Sequence, residues 1–380
     1  MKVKTIIIGG GIVGSTAAYY LARQGYPVLL FDEGVGQATS ASAGIICPWF
    51  SLRRNKPWYF LVSQGAEFYR QFMTDLQADG YSTAHIFKES GAIFIRRTQK
   101  RVEQDLAAAD EKLSQSPSIQ EVQGLTPKDI QMLAPFIDSE YPGLYVKGGA
   151  RVDGQALIET LHRAIEAHGG QIIRERVTLT KDADSHVFVQ SSQETYCADH
   201  VLLSVGPHLT NLLSPLGYQV DIHPQKGQLF TVDLPANIDD SQWPVVIPFG
   251  VGDIIPMNDG SVTIGATHED EEAFNLDVDW ETMGALKEEA LTWMPSLIDL
   301  PIKSTRVGTR AHTSDFSVLV GDVPGLNQVT AISGLGSSGL TSGPFLGYQY
   351  AQKVLHHSWQ IDPNLYPIQD YITCSHSQNT

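Results

Sequence analysis

The clearest chemistry near the N-terminus lies in Gly9-Gly10-Gly11-Ile12-Val13-Gly14, which has the pattern G-x-G-x-x-G. Gly9 allows a tight turn, Gly11 lets backbone approach a pyrophosphate, and Gly14 lets a helix lie close to a sheet. The N-terminus of the helix that follows this turn, just past Ile12 and Val13, would aim free N–H groups and its positive dipole end at the anion. Such a site needs an acid about 20 residues on to bind ribose hydroxyls. Asp32 lies 23 residues after Gly9, and Glu33 follows it, so either can serve. These residues predict a dinucleotide site.

A second glycine-rich turn, Gly334-Leu335-Gly336-Ser337-Ser338-Gly339-Leu340-Thr341, stands near the C-terminus. It too follows an apolar run and opens a helix, so its N–H groups can face an anion. Arg310 is the sharpest single candidate between the two turns, because a guanidinium is a planar fork that pairs with a carboxylate through two hydrogen bonds. The competing reading is an internal ion pair, and Arg306 is a possible substitute. Asp253 would suit a cationic amine, or it is the exposed end of a strand. One of His223, His268 and His312 could act as a base. No H-x-H or H-x-x-x-H pair exists among these three, so no metal site is expected. Arg53, Arg54 and Lys56 either line an entrance or form a solvated loop.

The elements that must position these groups follow from hydrophobic period. Residues 3–8 and 27–31 are apolar and β-branched, as buried parallel strands should be, with a helix over 15–24 between them. Apolar spacing near 3.6 predicts further helices over 58–79, 100–113, 154–168, 280–294 and 340–356. Strands are expected over 91–96, 145–150, 171–174, 187–190, 200–204, 225–232, 245–256, 261–266 and 330–333. Asn258-Asp259-Gly260 reads as a hairpin turn. Strand–helix alternation at both ends, with mostly antiparallel material between, predicts an α/β chain with a discontinuous Rossmann-like domain. That domain would take residues 1–48, 145–220 and 305–380. An α+β substrate domain on a mostly antiparallel sheet would take 49–144 and 221–304.

Composition narrows the classes. With 42% hydrophobic and 18% charged residues, the chain is globular rather than disordered. A formal net charge of −16 repels phosphate backbones, so nucleic-acid binding is disfavoured. The 3 scattered cysteines argue against a disulfide framework or zinc ribbon and fit a reducing compartment. No run reaches the roughly 18 apolar residues of a membrane span. A cytoplasmic chain is expected, with any membrane link peripheral and a homo-oligomer left open.

The segment Gln37-Ala38-Thr39-Ser40-Ala41-Ser42-Ala43-Gly44-Ile45-Ile46 is rich in small residues and hydroxyls, which let backbone run along an extended cofactor. Here the sequence resembles the FAD-dependent D-amino-acid oxidase superfamily, in the branch of glycine oxidase and the D-amino-acid dehydrogenases. The resemblance covers nearly the whole chain and implies FAD as cofactor. It implies that Thr39, Ser40, Ser42, Gly44 and Ile46 line the FAD, with Val177 and Gly206. It places Gly334, Gly336, Ser337, Ser338, Gly339, Leu340 and Thr341 at the flavin edge that gains negative charge on reduction. A G-x-R-P-x-T-x-D-like segment of the family matches Gly308, Arg310, Thr313 and Asp315, and implies that Arg310 clamps a substrate carboxylate. Ala311 departs from the usual proline, Leu335 from a common histidine, and Asp253 from an aromatic hydroxyl frequent in glycine oxidases.

The implied reaction is oxidation of a small amino acid, D-configured or glycine, by hydride transfer from its α-carbon to flavin N5. The resulting imine would hydrolyse to a 2-oxo acid, with dioxygen, a quinone or another carrier as electron acceptor. Arg310, Asp253 and His312 are the candidate catalytic residues. Alternatives are oxidation of a 2-hydroxy acid or N-alkyl amine, which for a hydroxyl needs a histidine base, an electron-relay subunit, and a nicotinamide dehydrogenase.

Overall fold

The computed structural model describes residues 2–53, 55–235, 242–250, 252–271 and 273–374. Arg54, part of the cationic loop noted above, lies outside them. The first sheet is built around Lys2–Ile8, which pairs in parallel with Val28–Phe31 on one side and Thr195–Leu203 on the other. Gln171–Ile173 and Val329–Ser333 extend it in parallel at the two flanks. Two antiparallel additions, Thr178–Lys181 with Val187–Gln190 and the strand Leu319–Asp322, complete it. The VLLF and VTAIS runs are buried throughout, as strands covered on both faces must be.

The helix Ile12–Arg23 packs against Gly154–Ala167 and against the closing helix Gly339–His356. Glycine sets that distance: a Cβ on Gly347 would fall 2.4 Å from the Val13 carbonyl oxygen. The long helix Lys56–Ala78 lies on the closing helix in the same way, since a Cβ on Gly65 would fall 2.1 Å from the Thr341 carbonyl oxygen.

The second sheet runs Ile302–His312, His223–Asp233, Ser261–Gly265, Asp253–Pro256, Val245–Ile247, Ala92–Ile95, Gly143–Lys147, Glu121–Leu125. It is antiparallel except where Val245–Ile247 meets Ala92–Ile95. Its core joins Ile93, Phe230, Val246, Ile254 and Ile264 to Met283 and Leu286 of the helix Trp280–Leu291.

Several expectations are corrected here. The span 245–256 is a hairpin of two strands, because Pro248 and the positive-φ residues Gly250 and Gly252 turn the chain between them. The helix expected over 100–113 is divided at Ala108 into Gln99–Ala107 and Ala109–Gln115. Ile302–His312 was not foreseen as a strand. It is an edge strand with largely polar residues, so its period carries little apolar signal. Pairing puts Gly143–Lys147 and Ile302–His312 in the second sheet, so the boundaries expected at 145 and 305 fall inside its strands. The helix Lys56–Ala78, expected with the second sheet, packs on the closing helix of the first. Among the described residues no helix is long and apolar enough to cross a membrane.

Candidate functional site

A cavity of about 960 Å³ runs between the two sheets. That is near the upper end of the roughly 300–1,000 Å³ of small-molecule sites. The glycine turn forms one end. Gly9 holds φ +99°, and a Cβ there would fall 2.4 Å from the Ser204 carbonyl oxygen. Gly14 is turned inward, where a Cβ would sit 1.9 Å from the Gly9 carbonyl oxygen. Gly11 faces the opening, and its Cβ would meet only Thr39 Oγ1, at 3.6 Å. Thr39 accepts from the Ile12 N–H at 3.1 Å, which ties the small-residue segment to the first helix.

Both acids after the second strand line this end, and both are engaged. Asp32 Oδ2 accepts from Gln37 Nε2 at 2.7 Å and from Arg174 at 3.2 Å. Glu33 takes both forks of Arg176, at 2.9 and 2.7 Å. Behind them, Arg174 donates to His162 Nδ1 at 2.8 Å, so the ring proton sits on Nε2. Nε2 then donates to Ser15 Oγ at 3.0 Å, and Ser15 donates to the Gly10 carbonyl at 2.8 Å. Burial and the Arg174 charge both hold His162 below its ordinary pKa, which keeps it neutral.

The turn Gly334–Thr341 lines the cavity further along. The closing helix starts there with no side-chain cap from Ser338, so its first N–H groups are free to face the cavity. Trp58 Nε1 holds Ser338 Oγ at 2.9 Å, and Tyr69 donates to the Leu340 carbonyl at 2.7 Å. The long helix thereby fixes the position of this turn.

The second sheet supplies the far wall: Ile247, Pro248, Phe249, Asp253, His268 and Arg310, with Phe50 and Phe94 beside them. Arg310 lies opposite Gln225 in the strand ladder. Its guanidinium occupies the space that a side chain at Gly227 would fill, 2.7 Å from the built Cβ. It donates to the Thr267 carbonyl at 2.8 Å, and Glu269 is the acid closest to it in influence. Burial lowers its pKa, which a guanidinium tolerates without losing its charge. Burial also pushes the Asp253 carboxyl up to about 7. His268 is lowered by burial and then by Arg310, and so stands neutral.

The cavity thus collects Gly9, Gly11, Ile12, Val13, Asp32, Glu33, Thr39, Ser42, Gly44, Val177, Gly206, Gly334, Gly336, Ser337, Ser338, Gly339, Leu340, Thr341, Asp253 and Arg310. Four candidates are not brought to it. Gly14 is a packing residue. Ser40 bonds Gln37, and its carbonyl lies against Arg306. Ile46 points into the core while its neighbours Ile45 and Cys47 face the cavity, the alternation of a strand. His312 ends its strand beyond the cavity, stacked between His223 and Phe316, with Nδ1 3.1 Å from the Thr313 carbonyl. Thr313 and Asp315 bond each other and Ser317, so they knit a loop. Beyond Gln37, which opens the small-residue segment, Arg174, Arg176 and His162 were not anticipated. Their only sequence signal is a pair of basic residues just past the strand Gln171–Ile173.

A glycine-turn nucleotide end, a second helix start and a walled pocket in one cavity define a dinucleotide-dependent oxidoreductase. The chain belongs to the FAD-dependent oxidoreductase family, whose model matches residues 4–353. It is 35% identical over 365 residues to an uncharacterised oxidoreductase of Bacillus subtilis (strain 168), covering 95% of this chain and 97% of that one. It is 25% identical over 353 residues to glycine oxidase of Pseudomonas putida, covering 90% and 92%. Its structure is similar to that of iminodiacetate oxidase from Chelativorans sp. BNC1, with TM-score 0.90 at 30% identity over 96% and 98% of the two chains. Glycine oxidase from Geobacillus kaustophilus shares the fold, with TM-score 0.83 at 21% identity over 97% and 98%. The protein is therefore a FAD-dependent enzyme with an α/β fold of that family. Its residues fit the cofactor: Gly11 leaves room for a pyrophosphate, and two helix starts open into the cavity.

Proposed function

We propose that the protein oxidises the C–N bond of a small amino acid, D-configured or glycine, to an imine that hydrolyses to a 2-oxo acid. The observation that carries this reading is Arg310, a charged fork in the wall of the same cavity that the glycine turn opens. Its free edge would take the substrate carboxylate in two parallel hydrogen bonds and fix the α-carbon in place. Bound FAD would supply the hydride acceptor. Phe50, Phe94, Ile247 and Phe249 would keep water from that carbon. The uncapped start of the closing helix would favour negative charge at its end of the cavity. The residues expected to bind FAD are those that line the cavity from Gly9 to Val177 and from Gly334 to Thr341.

A second reading concerns the nitrogen. The likeness to iminodiacetate oxidase at 30% identity favours a substrate whose nitrogen carries a second carbon. Anaerobic titration with D- and L-amino acids, glycine, sarcosine and iminodiacetate tests both readings. Bleaching of the flavin band by one of them is expected, and readmitted air separates an oxidase from a dehydrogenase. In Arg310→Lys the concentration needed for half bleaching should rise about 10- to 100-fold, the loss of one charge-assisted bond. An unchanged titration in that variant removes Arg310 from the site.

A further inference from the structure

We propose that Asp253 holds the amino group of the substrate and so selects amino acids over 2-hydroxy acids. This rests on Arg310 as the carboxylate partner. Asp253 opens the strand Asp253–Pro256 at the end of a hairpin whose glycine turn carries it to the cavity wall. Across the ladder stands Gly265, whose lack of a side chain leaves the Asp253 carboxyl nothing to lean on.

Asp253 differs from the other acids of the cavity. Asp32 is held by Gln37 and Arg174, Glu33 by Arg176, and Glu175 accepts from the Ser192 N–H. Among the described residues the Asp253 carboxyl has no hydrogen-bond or ion-pair partner. The half-buried Asp253 carboxyl faces the cavity with no protein group to hold it, and partial loss of water raises its pKa. A ligand in the cavity can supply the partner that the protein does not. A substrate carboxylate is the poorer partner, since it donates nothing, repels ionised Asp253 and has Arg310 to pair with. A neutral hydroxyl offers one donor and no charge. An ammonium offers several donors and a charge, and charge-assisted bonds are about twice as strong as neutral ones. Arg310 and Asp253 on one wall thus present a cation and an anion to the carboxylate and the amine of one amino acid.

The test uses a matched pair without a hydrogen on the α-carbon, so that binding is read without oxidation. 2-Aminoisobutyrate and 2-hydroxyisobutyrate are titrated into the FAD-loaded protein by calorimetry, with 1-aminocyclopropane-1-carboxylate and 1-hydroxycyclopropane-1-carboxylate as a second pair that also lacks an α-hydrogen. The wild type should bind the amine of each pair about tenfold or more tightly over its hydroxyl analogue. Asp253→Asn should bring that ratio to within about threefold of one, by weakening the amine and leaving the hydroxy acid unweakened. Arg310→Gln should weaken both members of a pair alike. A ratio unchanged in Asp253→Asn, or an equal weakening of both members, overturns the proposal while leaving Arg310 in place. Absence of binding by both pairs in the wild type, or binding unaffected in Arg310→Gln, overturns the carboxylate reading and this inference with it. Should Asp253→Asn fail to hold FAD, Asp253→Ser is measured in the same way against the same two outcomes.

Discussion

His162 shows how a residue far from any reacting atom can govern the nucleotide end. Arg174 occupies its Nδ1, so its single proton is committed to Ser15 and through it to the Gly10 carbonyl. A second proton would have to displace Arg174 and so leave Asp32 to Gln37 alone. The unfolded chain takes up that proton below about pH 6.5, whereas the fold resists it. Stability is therefore complete above that pH and is lost as the pH falls below it. His162→Gln can keep one donor and one acceptor without titrating. Thermal melts from pH 7.5 to 5.0 should fall less steeply for His162→Gln than for the wild type, and parallel curves would contradict the network. At this scale the sequence was readable where a residue type has one physical use. The glycines of the first turn and the guanidinium of Arg310 are of that kind. Long-range partners were not readable, because nothing local joins Arg174 to Asp32. The facing of Ser40 and Ile46 was also hidden. The segment has only the two-residue strand Ile45–Ile46, too short for its phase to show.

At the scale of elements, the cavity depends on how closely three helices approach. Ile12–Arg23 and Lys56–Ala78 both meet the closing helix at glycines, and that helix starts in the cavity wall. A methyl group on Gly347 would strike the Val13 carbonyl and force the closing helix away. Gly347→Ala should lower the melting temperature by several degrees or more and weaken FAD retention, as overpacking costs about 1–3 kcal/mol. Gly284 is its control: it is exposed in the helix Trp280–Leu291, with nothing within 4 Å of a built Cβ. Gly284→Ala should stabilise by up to about 1 kcal/mol through helix propensity and leave FAD binding unchanged. Calorimetry and the flavin absorbance of the purified variants give both readouts. Equal effects of the two changes would mean that close approach does not matter. Long amphipathic helices and apolar parallel strands were legible because their period is strong. Ile302–His312 was not, although it carries Arg310, since an edge strand gains its order from its partner His223–Asp233 rather than from its own apolar run.

For the whole molecule, the decisive feature is that the cavity has walls from both sheets. Gly9, Asp32 and Val177 come from the first sheet and its turns, while Phe249, Asp253 and Arg310 come from the second. A ligand filling about 960 Å³ there touches both, so its binding energy adds to the cohesion between them. Anything bound only by the native state stabilises it, by about 2.7 kcal/mol at a hundredfold excess over Kd. Removing FAD should therefore lower the melting temperature, and adding it back should restore the transition in proportion to the logarithm of its concentration. Each sheet has a core of its own, around Ile6 and Val201 in one and Phe230 and Ile264 in the other, and a further cluster joins Ile7, Leu30 and Leu202 of the first to Phe94, Val146 and Val245 of the second. Because the shared cluster couples the sheets, the stripped protein should still unfold in one transition, at a lower temperature than the loaded protein. Calorimetry of stripped and reconstituted protein decides this. An unchanged melting temperature on stripping would mean that the cofactor adds nothing to the fold, and a doubled transition would mean that the shared cluster does not couple the sheets.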